Sequence, residues 1–369
     1  MSLYIIIAII LFILCLFEDQ ISQDVRVYSA VFVLLLVSFV LFDGLRWENG
    51  TDWDNYLKIF EMTNPDEDER FEFGYLAFNR LVYFFGGNYT IFLILHACIL
   101  YGFLFYFLWR FSDAPFLSLF LFYSMFLPYQ GMNRQFLSIA FCFYAFKFLI
   151  EGRNFIFAVV VLFACLFHTS AFIFLVSLLL RKQYSFKIYL FLLIGIVVIG
   201  LSGVVRMATD IAVNALPGHV GFLLEFYSEG ENESASGFGL LLAIFRRLLW
   251  VIPILYLLYN DEELPYPIAV SFNLYFLGCL IYILFNGSLL QIFVSRGILY
   301  FMMLECMLIP YILLSFNGAF ARLVLYNIVL LYAVANLYKG IHSYDIGEQN
   351  PFIPYKTIYY NTSVVKPTG

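Results

Sequence analysis

The sequence predicts an all-α polytopic integral membrane protein with about 11–12 transmembrane helices in a single membrane domain. Three observations carry this reading. The 369 residues are 63% hydrophobic and only 12% charged, where an average soluble domain is about 25% charged. Forty-five Phe and 28 Tyr are too many to hide in a soluble core of this size. Apolar runs approaching the ~20 residues needed to cross a bilayer recur along most of the chain, and the mean hydropathy is +0.88. The net charge of −6 lacks the basic footprint of a nucleic-acid-binding protein, so that class is excluded. Six Cys lie inside apolar runs without a CxxC, which predicts neither a disulfide framework nor a zinc site.

Taken in order, residues 1–17 are apolar, lack a basic n-region and are followed by Glu18, Asp19 and Gln20 rather than a small-residue cleavage site. They read as a retained spanning helix, not a signal peptide. Further spans are predicted at 28–42, 89–109, 115–129, 135–150, 154–180, 186–205, 238–259, 266–285, 297–316 and 320–338. Between them lie two polar excursions and a polar tail: 43–88, 206–237 and 339–369. Within the first, residues 71–85 are too short and too polar to span and read as an amphipathic segment at the interface.

Orientation follows from basic residues near helix ends. With the N-terminus outside, the inner face collects Arg26, Arg110, Lys147, Arg153, Arg181, Lys182, Lys187 and Arg322. The outer face collects the acidic stretch 65–70 and the 206–237 loop with Glu225, Glu229, Glu231 and Glu233. Lys58, Arg70 and Lys339 run against this pattern. Arg153 and the 181–187 basic patch then both belong inside, so the run between them must go in and return. Residues 154–167 would supply roughly 21 Å of helix, with His168 and Thr169 at the turning point, a re-entrant form allowed only where protein or a cavity surrounds it. The alternative is one tilted helix over 154–180.

Function must come from the polar residues that burial in lipid does not explain, because charges there are costly. Arg46 and the segment Trp47–Tyr56 put a cation, three acids and two Trp into one outer loop. This is either a sugar-binding lip or a solvated loop opening a helix. Arg134-Gln135 follows a polar break between apolar runs and is either an anion site at a helix start or a snorkelling interface Arg. His168 is either a proton acceptor or phosphate contact, or a hydrogen-bonded packing residue. Arg246-Arg247 interrupts an apolar run, and adjacent guanidiniums point in different directions. At least one faces a polar cavity or an anion, unless both snorkel to the interface. Arg296, shortly before Tyr300, repeats the theme. Arginines at outer helix mouths in a net acidic chain suit a diphosphate carried on a lipid. Asp52, Asp54 and Glu72 would lie above it, where a sugar projects. No metal motif is visible.

Arg46-x3-Gly50-Thr51-Asp52-x3-Tyr56 resembles the RxxxGTDxxxY opening of the EpsG-like family of bacterial polysaccharide polymerases. Glu72-Phe73-Gly74-Tyr75 is similar to its E-x-G-Y, Arg134-Gln135 with Ala140 to its R-Q helix start, Phe167–Ala171 to its F-H-x-S-A, and Pro354-Tyr355 to its closing P-Y. Trp53 stands where Tyr is more usual. The resemblance covers roughly Arg46 to Tyr355. It implies a GT-C-like, Wzy-type O-antigen polymerase in the bacterial inner membrane, working at the periplasmic face. Such an enzyme moves a growing glycan from undecaprenyl diphosphate to the non-reducing end of a lipid-linked oligosaccharide repeat unit; a single attack at the anomeric carbon would invert it, and because the leaving group is already activated a metal is not required in principle, so no cofactor is expected. It also implies a chain-length regulator (Wzz-type) and a flippase (Wzx-type) as partners, besides the lipid bilayer. His168, Arg134 and Asp52 are then the expected catalytic residues. Arg46, Tyr56, Glu72, Gln135, Arg246, Arg247, Arg296, Tyr300 and Tyr355 are the expected substrate contacts. An O-antigen ligase would need much the same donor site. A lipid-linked oligosaccharide flippase or transporter would show paired repeats and broken helices in both halves, and no such symmetry is visible in the sequence.

Overall fold

A computed structural model describes residues 2–61, 71–214, 237–260, 262–291, 293–316, 318–342 and 350–360. The acidic stretch 65–70, the four Glu of the 206–237 loop, and residues 343–349 and 361–369 of the tail lie outside the described residues. In chain order the α-helices are α1 (Ser2–Leu16), α2 (Glu18–Ile21), α3 (Val25–Gly44), α4 (Trp53–Glu61), α5 (Phe73–Phe84), α6 (Tyr89–Phe111), α7 (Pro115–Phe126), α8 (Asn133–Ile150), α9 (Asn154–Cys165), α10 (Phe186–Leu201) and α11 (Val204–Asn214). They continue with α12 (Gly237–Leu248), α13 (Val251–Tyr259), α14 (Tyr266–Phe285), α15 (Leu299–Met302), α16 (Glu305–Ser315) and α17 (Ala319–His342). A 3-10 helix covers Thr169–Leu178 and a π-helical turn covers Phe293–Gly297.

Local chemistry sets several starts. The Asp24 carboxylate accepts from the amides of Arg26 and Val27 to open α3, and Asn88 Oδ1 accepts from Ile91 to open α6. Glu18 on α2 reaches across to the first turn of α7, accepting from the Phe116 amide at 2.8 Å and the Leu117 amide at 3.2 Å. Its charge faces a helix N-terminus, where a carboxylate is favoured.

The chain forms two compact units, residues 1–172 with 313–369, and residues 173–312. In the first, α3, α6, α8 and α9 pack side by side, and α7 sits between α1 and α17. Aromatic rings fill the seams, as where Phe107 stacks on Phe143 at 4.7 Å and Phe32 meets Phe105 at 4.8 Å, arrangements worth about 0.5–1.5 kcal/mol beyond burial. Apolar side chains also stand on the outside, among them Val33, Leu34 and Val37 of α3 and Phe155 and Val159 of α9. That outward face is what a lipid solvent selects. In the second unit, α14 is the central helix. Its buried Asn273 donates to the carbonyls of Leu180 and Lys182 and accepts from Tyr189.

Among the described residues, four helices are long and apolar enough to cross a membrane: α3, α6, α14 and α17. The number is six if each bent pair is one span: 241–248 with α13 at 44°, and 293–302 with α16 at 46°. The 135–150 run lies in the 18-residue α8, while the runs at 1–17, 115–129, 154–180 and 186–205 form apolar helices of 10–17 residues. These reach roughly 15–25 Å, short of the ~30 Å hydrocarbon thickness, so apolar runs outnumber full crossings. The 154–180 run does not make one helix. The α-helical part stops at Cys165, and the break carries His168.

Candidate active site

Stretches far apart in sequence meet at one end of the first unit. The chain leaving α3 turns through Arg46–Gly50 into α4, and the starts of α5 and α8 and the end of α9 lie against it. Two close backbone approaches lock the arrangement. Gly50 (φ 104°) and Gly131 (φ 109°) face one another, so a Cβ on Gly50 would lie 2.6 Å from the Gln130 carbonyl oxygen and one on Gly131 would lie 2.8 Å from the Thr51 nitrogen. At Gly74, whose amide donates to the Leu166 carbonyl at 2.7 Å, a Cβ would meet that same oxygen. Only glycine fits such positions.

On this scaffold Arg134, Glu72, Tyr56 and the His168 turn come together. Arg134 Nη1 donates to Glu72 Oε2 at 2.6 Å, and its Nε lies 3.5 Å from the Tyr56 hydroxyl. Its guanidinium stacks 4.2 Å from the Phe71 ring centre. The other Glu72 oxygen, Oε1, accepts from the Thr169 amide at 3.0 Å. One carboxylate therefore ties the first turn of α8 to the break after α9. Arg134 and Glu72 keep 17% and 13% of their side-chain surface exposed, enough for a ligand to reach the pair. Burial pushes the Tyr56 hydroxyl pKa up, and the Arg134 cation opposes that shift. His168 is buried, with Nδ1 taking contacts from the Ser170 hydroxyl at 2.6 Å and the Ser170 amide at 3.3 Å. An amide N–H can only donate, so Nδ1 is the acceptor and the neutral ring carries its proton on Nε2.

Beneath lies a second, fully buried network. Arg46, 1% exposed, pairs with Asp43 and donates from Nη2 to Asn133 Oδ1 at 2.7 Å. Gln130 Nε2 donates to Asp43 at 2.8 Å, Asn133 Nδ2 to Tyr89 at 3.3 Å, and His96 Nε2 lies 3.0 Å from the Asn133 carbonyl. A cavity of about 20 Å³ sits among these groups, close to the room one water needs.

Several residues expected at the substrate have other work. Arg46 is corrected from substrate contact to scaffold, since its charge is buried and matched by Asp43. Gln135 (1% exposed) and Tyr300 (2% exposed) are packed inside and offer no surface to a ligand. Tyr355 stacks on Phe42 at 4.9 Å and donates to the Phe42 carbonyl, anchoring the tail to the end of α3. Arg246, Arg247, Arg296 and Tyr300 belong to the second unit. There Arg247 lies 3.4 Å from the ring centre of Tyr282 and donates to the Ala243 carbonyl at 3.1 Å. Sequence reasoning missed Asp43, Asn133 and Gln130. Asp43 had a signal, an acid ending an apolar run three residues before Arg46.

Asp52 lies on the solvent side. It lines a cleft of about 970 Å³ between the 48–58 stretch and residues 350–356 of the tail. The tail is held there by backbone pairing: the Trp47 amide donates to the Lys356 carbonyl, Gly50 to Pro351 and Ile358 to Leu45, each at 3.0 Å. Asp52 is joined to the Arg134 cluster through the first turn of α4, where its carbonyl accepts from the Tyr56 amide at 3.1 Å.

A family model for the EpsG family matches residues 29–357, which span the site from Asp43 to Lys356. The chain belongs to the EpsG family. As an EpsG-family chain with this helical architecture it is a multi-pass membrane protein, and the membership points to a polysaccharide-polymerase-like glycosyltransferase. Tyr56, Glu72, Arg134 and the His168 turn, separated in sequence but all within the matched range, meet in space. No curated protein and no solved structure matches the chain.

Proposed function

We propose that this EpsG-family protein is a Wzy-type polysaccharide polymerase of the bacterial inner membrane with its site at the periplasmic face. It transfers a growing glycan from undecaprenyl diphosphate to the non-reducing end of a lipid-linked repeat unit. The observation that supports this most is the Glu72 carboxylate joining Arg134 to the His168 turn beside an acid-lined cleft. A guanidinium then sits against a carboxylate whose other oxygen holds the amide beside His168, the inventory that a diphosphate leaving group and a sugar nucleophile require.

In this reading the acceptor hydroxyl oxygen attacks the anomeric carbon. The bond from that carbon to the diphosphate oxygen breaks, and the diphosphate leaves as the anion. Arg134 and the Nε2–H of His168 stabilise the charge that develops on it, an effect stronger in the transition state than in the ground state. Glu72 is occupied by two donors, so Asp52, which faces the cleft, takes the hydroxyl proton. A single displacement inverts the anomeric centre. The diphosphate is already an activated leaving group, so the step needs no metal. Wzz-type and Wzx-type proteins are the proposed partners.

The test is a reconstituted assay with purified protein and lipid-linked repeat units, with and without a chelator. Formation of a glycan ladder that Arg134→Ala and Asp52→Asn abolish supports the proposal. Attachment of finished polymer to a lipid A core without elongation would make the protein a ligase instead.

A further inference from the structure

We infer that residues 350–356 form the selectivity wall of the cleft and that the cleft seats the acceptor saccharide; this rests on the polymerase reading above. Ligand sites usually measure about 300–1,000 Å³. At about 970 Å³ this cleft is at the upper end, with room for an oligosaccharide.

Its charge decides between the two halves of the substrate. Three carboxylates (Glu48, Asp52, Asp54) and two ammonium groups (Lys58, Lys356) line it. One pair is already closed, since Lys356 Nζ lies 2.8 Å from Glu48 Oε2. The surplus is negative, which repels a diphosphate and leaves a row of donors and acceptors suited to sugar hydroxyls.

The two walls differ in chemistry. On α4, Trp53, Tyr56, Ile59 and Phe60 are buried, which leaves Asp54, Asn55 and Lys58 exposed along the cleft. The tail instead presents Pro351, Ile353 and Pro354 beside Lys356. A sugar ring has a polar rim and an apolar C–H face. The α4 wall takes the rim, and the tail takes the face. Ring stereochemistry determines which C–H groups lie together on one face, so the tail is the wall that discriminates among sugars.

That wall is fixed before any ligand arrives. The Lys356 carbonyl accepts from the Trp47 amide at 3.0 Å and from Asn49 Nδ2 at 2.8 Å. A pre-ordered wall costs little further entropy on binding.

The experiment uses full-length protein in lipid vesicles and, as probe, the free repeat-unit oligosaccharide released from its carrier by mild acid. Binding is read by saturation-transfer NMR, and acceptor KM and kcat by the elongation assay. Free oligosaccharide is expected to bind wild type, with pyrophosphate failing to compete. Ile353→Trp, which narrows the cleft at its tail wall, and Asp54→Ala, on the exposed face of α4, should each weaken binding by about tenfold or more. Both should raise acceptor KM by more than they lower kcat, and Ile353→Ala should change the ranking of repeat units with epimeric terminal sugars. Unchanged binding and KM in Ile353→Trp and Asp54→Ala, or competition by pyrophosphate, overturns the inference while elongation by wild type keeps the polymerase reading. Binding lost in both variants, with no elongation by wild type, upholds the saccharide cleft and overturns the polymerase reading.

Discussion

Glu72 holds Arg134 at 2.6 Å through one oxygen while its other oxygen takes the Thr169 amide at 3.0 Å. The pair is a joint between two helix ends as well as an electrostatic device. Glu72→Gln keeps an acceptor for Thr169 but turns a donor toward Arg134. It should lower kcat by about 10²-fold with little change in folding, measured in the reconstituted elongation assay. Arg134→Lys should fare almost as badly, because a point charge replaces a planar fork.

The pairing of Arg46 with Asp43 predicts damage of a different sort. Removing either partner leaves an uncompensated buried charge, a loss of about 3–5 kcal/mol. Arg46→Ala and Asp43→Ala should both melt early in detergent. The double variant Asp43→Leu/Arg46→Met should melt later than either single one, as followed by thermal unfolding.

Gly50 and Gly131 meet back to back, and both carry positive φ. Gly50→Ala and Gly131→Ala should each reduce folded yield and thermal stability by more than the ~1–2 kcal/mol of backbone strain alone. Gly152→Ala makes the comparison, since φ there is 73° and nothing beyond its own chain neighbours lies within 4 Å of the added Cβ. It should lose only the strain.

With His168 Nδ1 accepting from the Ser170 amide, the proposed mechanism assigns the donor role to Nε2–H. His168→Gln, which keeps an N–H near that position, should retain more activity than His168→Ala. Asp52→Asn removes the proposed proton acceptor and should drop the rate by about 10²–10⁴-fold. In-cell glycan laddering at normal expression reads both.

Tyr56 gives a pH prediction. Burial raises its pKa above the ordinary 10.0. The unfolded chain releases this proton near pH 10 while the folded chain keeps it. Its contribution to stability is therefore complete below pH 10 and is lost as pH rises through the folded pKa. Tyr56→Phe should remove that alkaline component from the stability profile and leave the neutral region unchanged, as measured by unfolding against pH.

Much of this was legible in the sequence, and the exceptions have physical causes. Apolar runs and their interruptions gave the helical membrane class, since lipid forces backbone groups to bond within a helix. Tyr56, Glu72, Arg134 and His168 were legible as polar residues that lipid burial does not explain. What sequence spacing could not give was which charges cancel. Arg46 looked like Arg134 in the sequence, yet the fold matches one with a buried acid and leaves the other at a partly exposed ion pair. Tyr355 is an expected substrate contact only through the resemblance of Pro354-Tyr355 to the family's closing P-Y, and in the fold its ring stacks on Phe42. Helix length was the other gap. A run such as 115–129 is apolar throughout, but its α-helix stops at Phe126 and a 3-10 turn follows.

The salt link from Glu48 to Lys356 spans 308 positions of chain. The ribosome delivers one side of the cleft long before the other, so a product that terminates before residue 350 lacks both a wall of the cleft and the backbone pairing that holds the 45–50 turn.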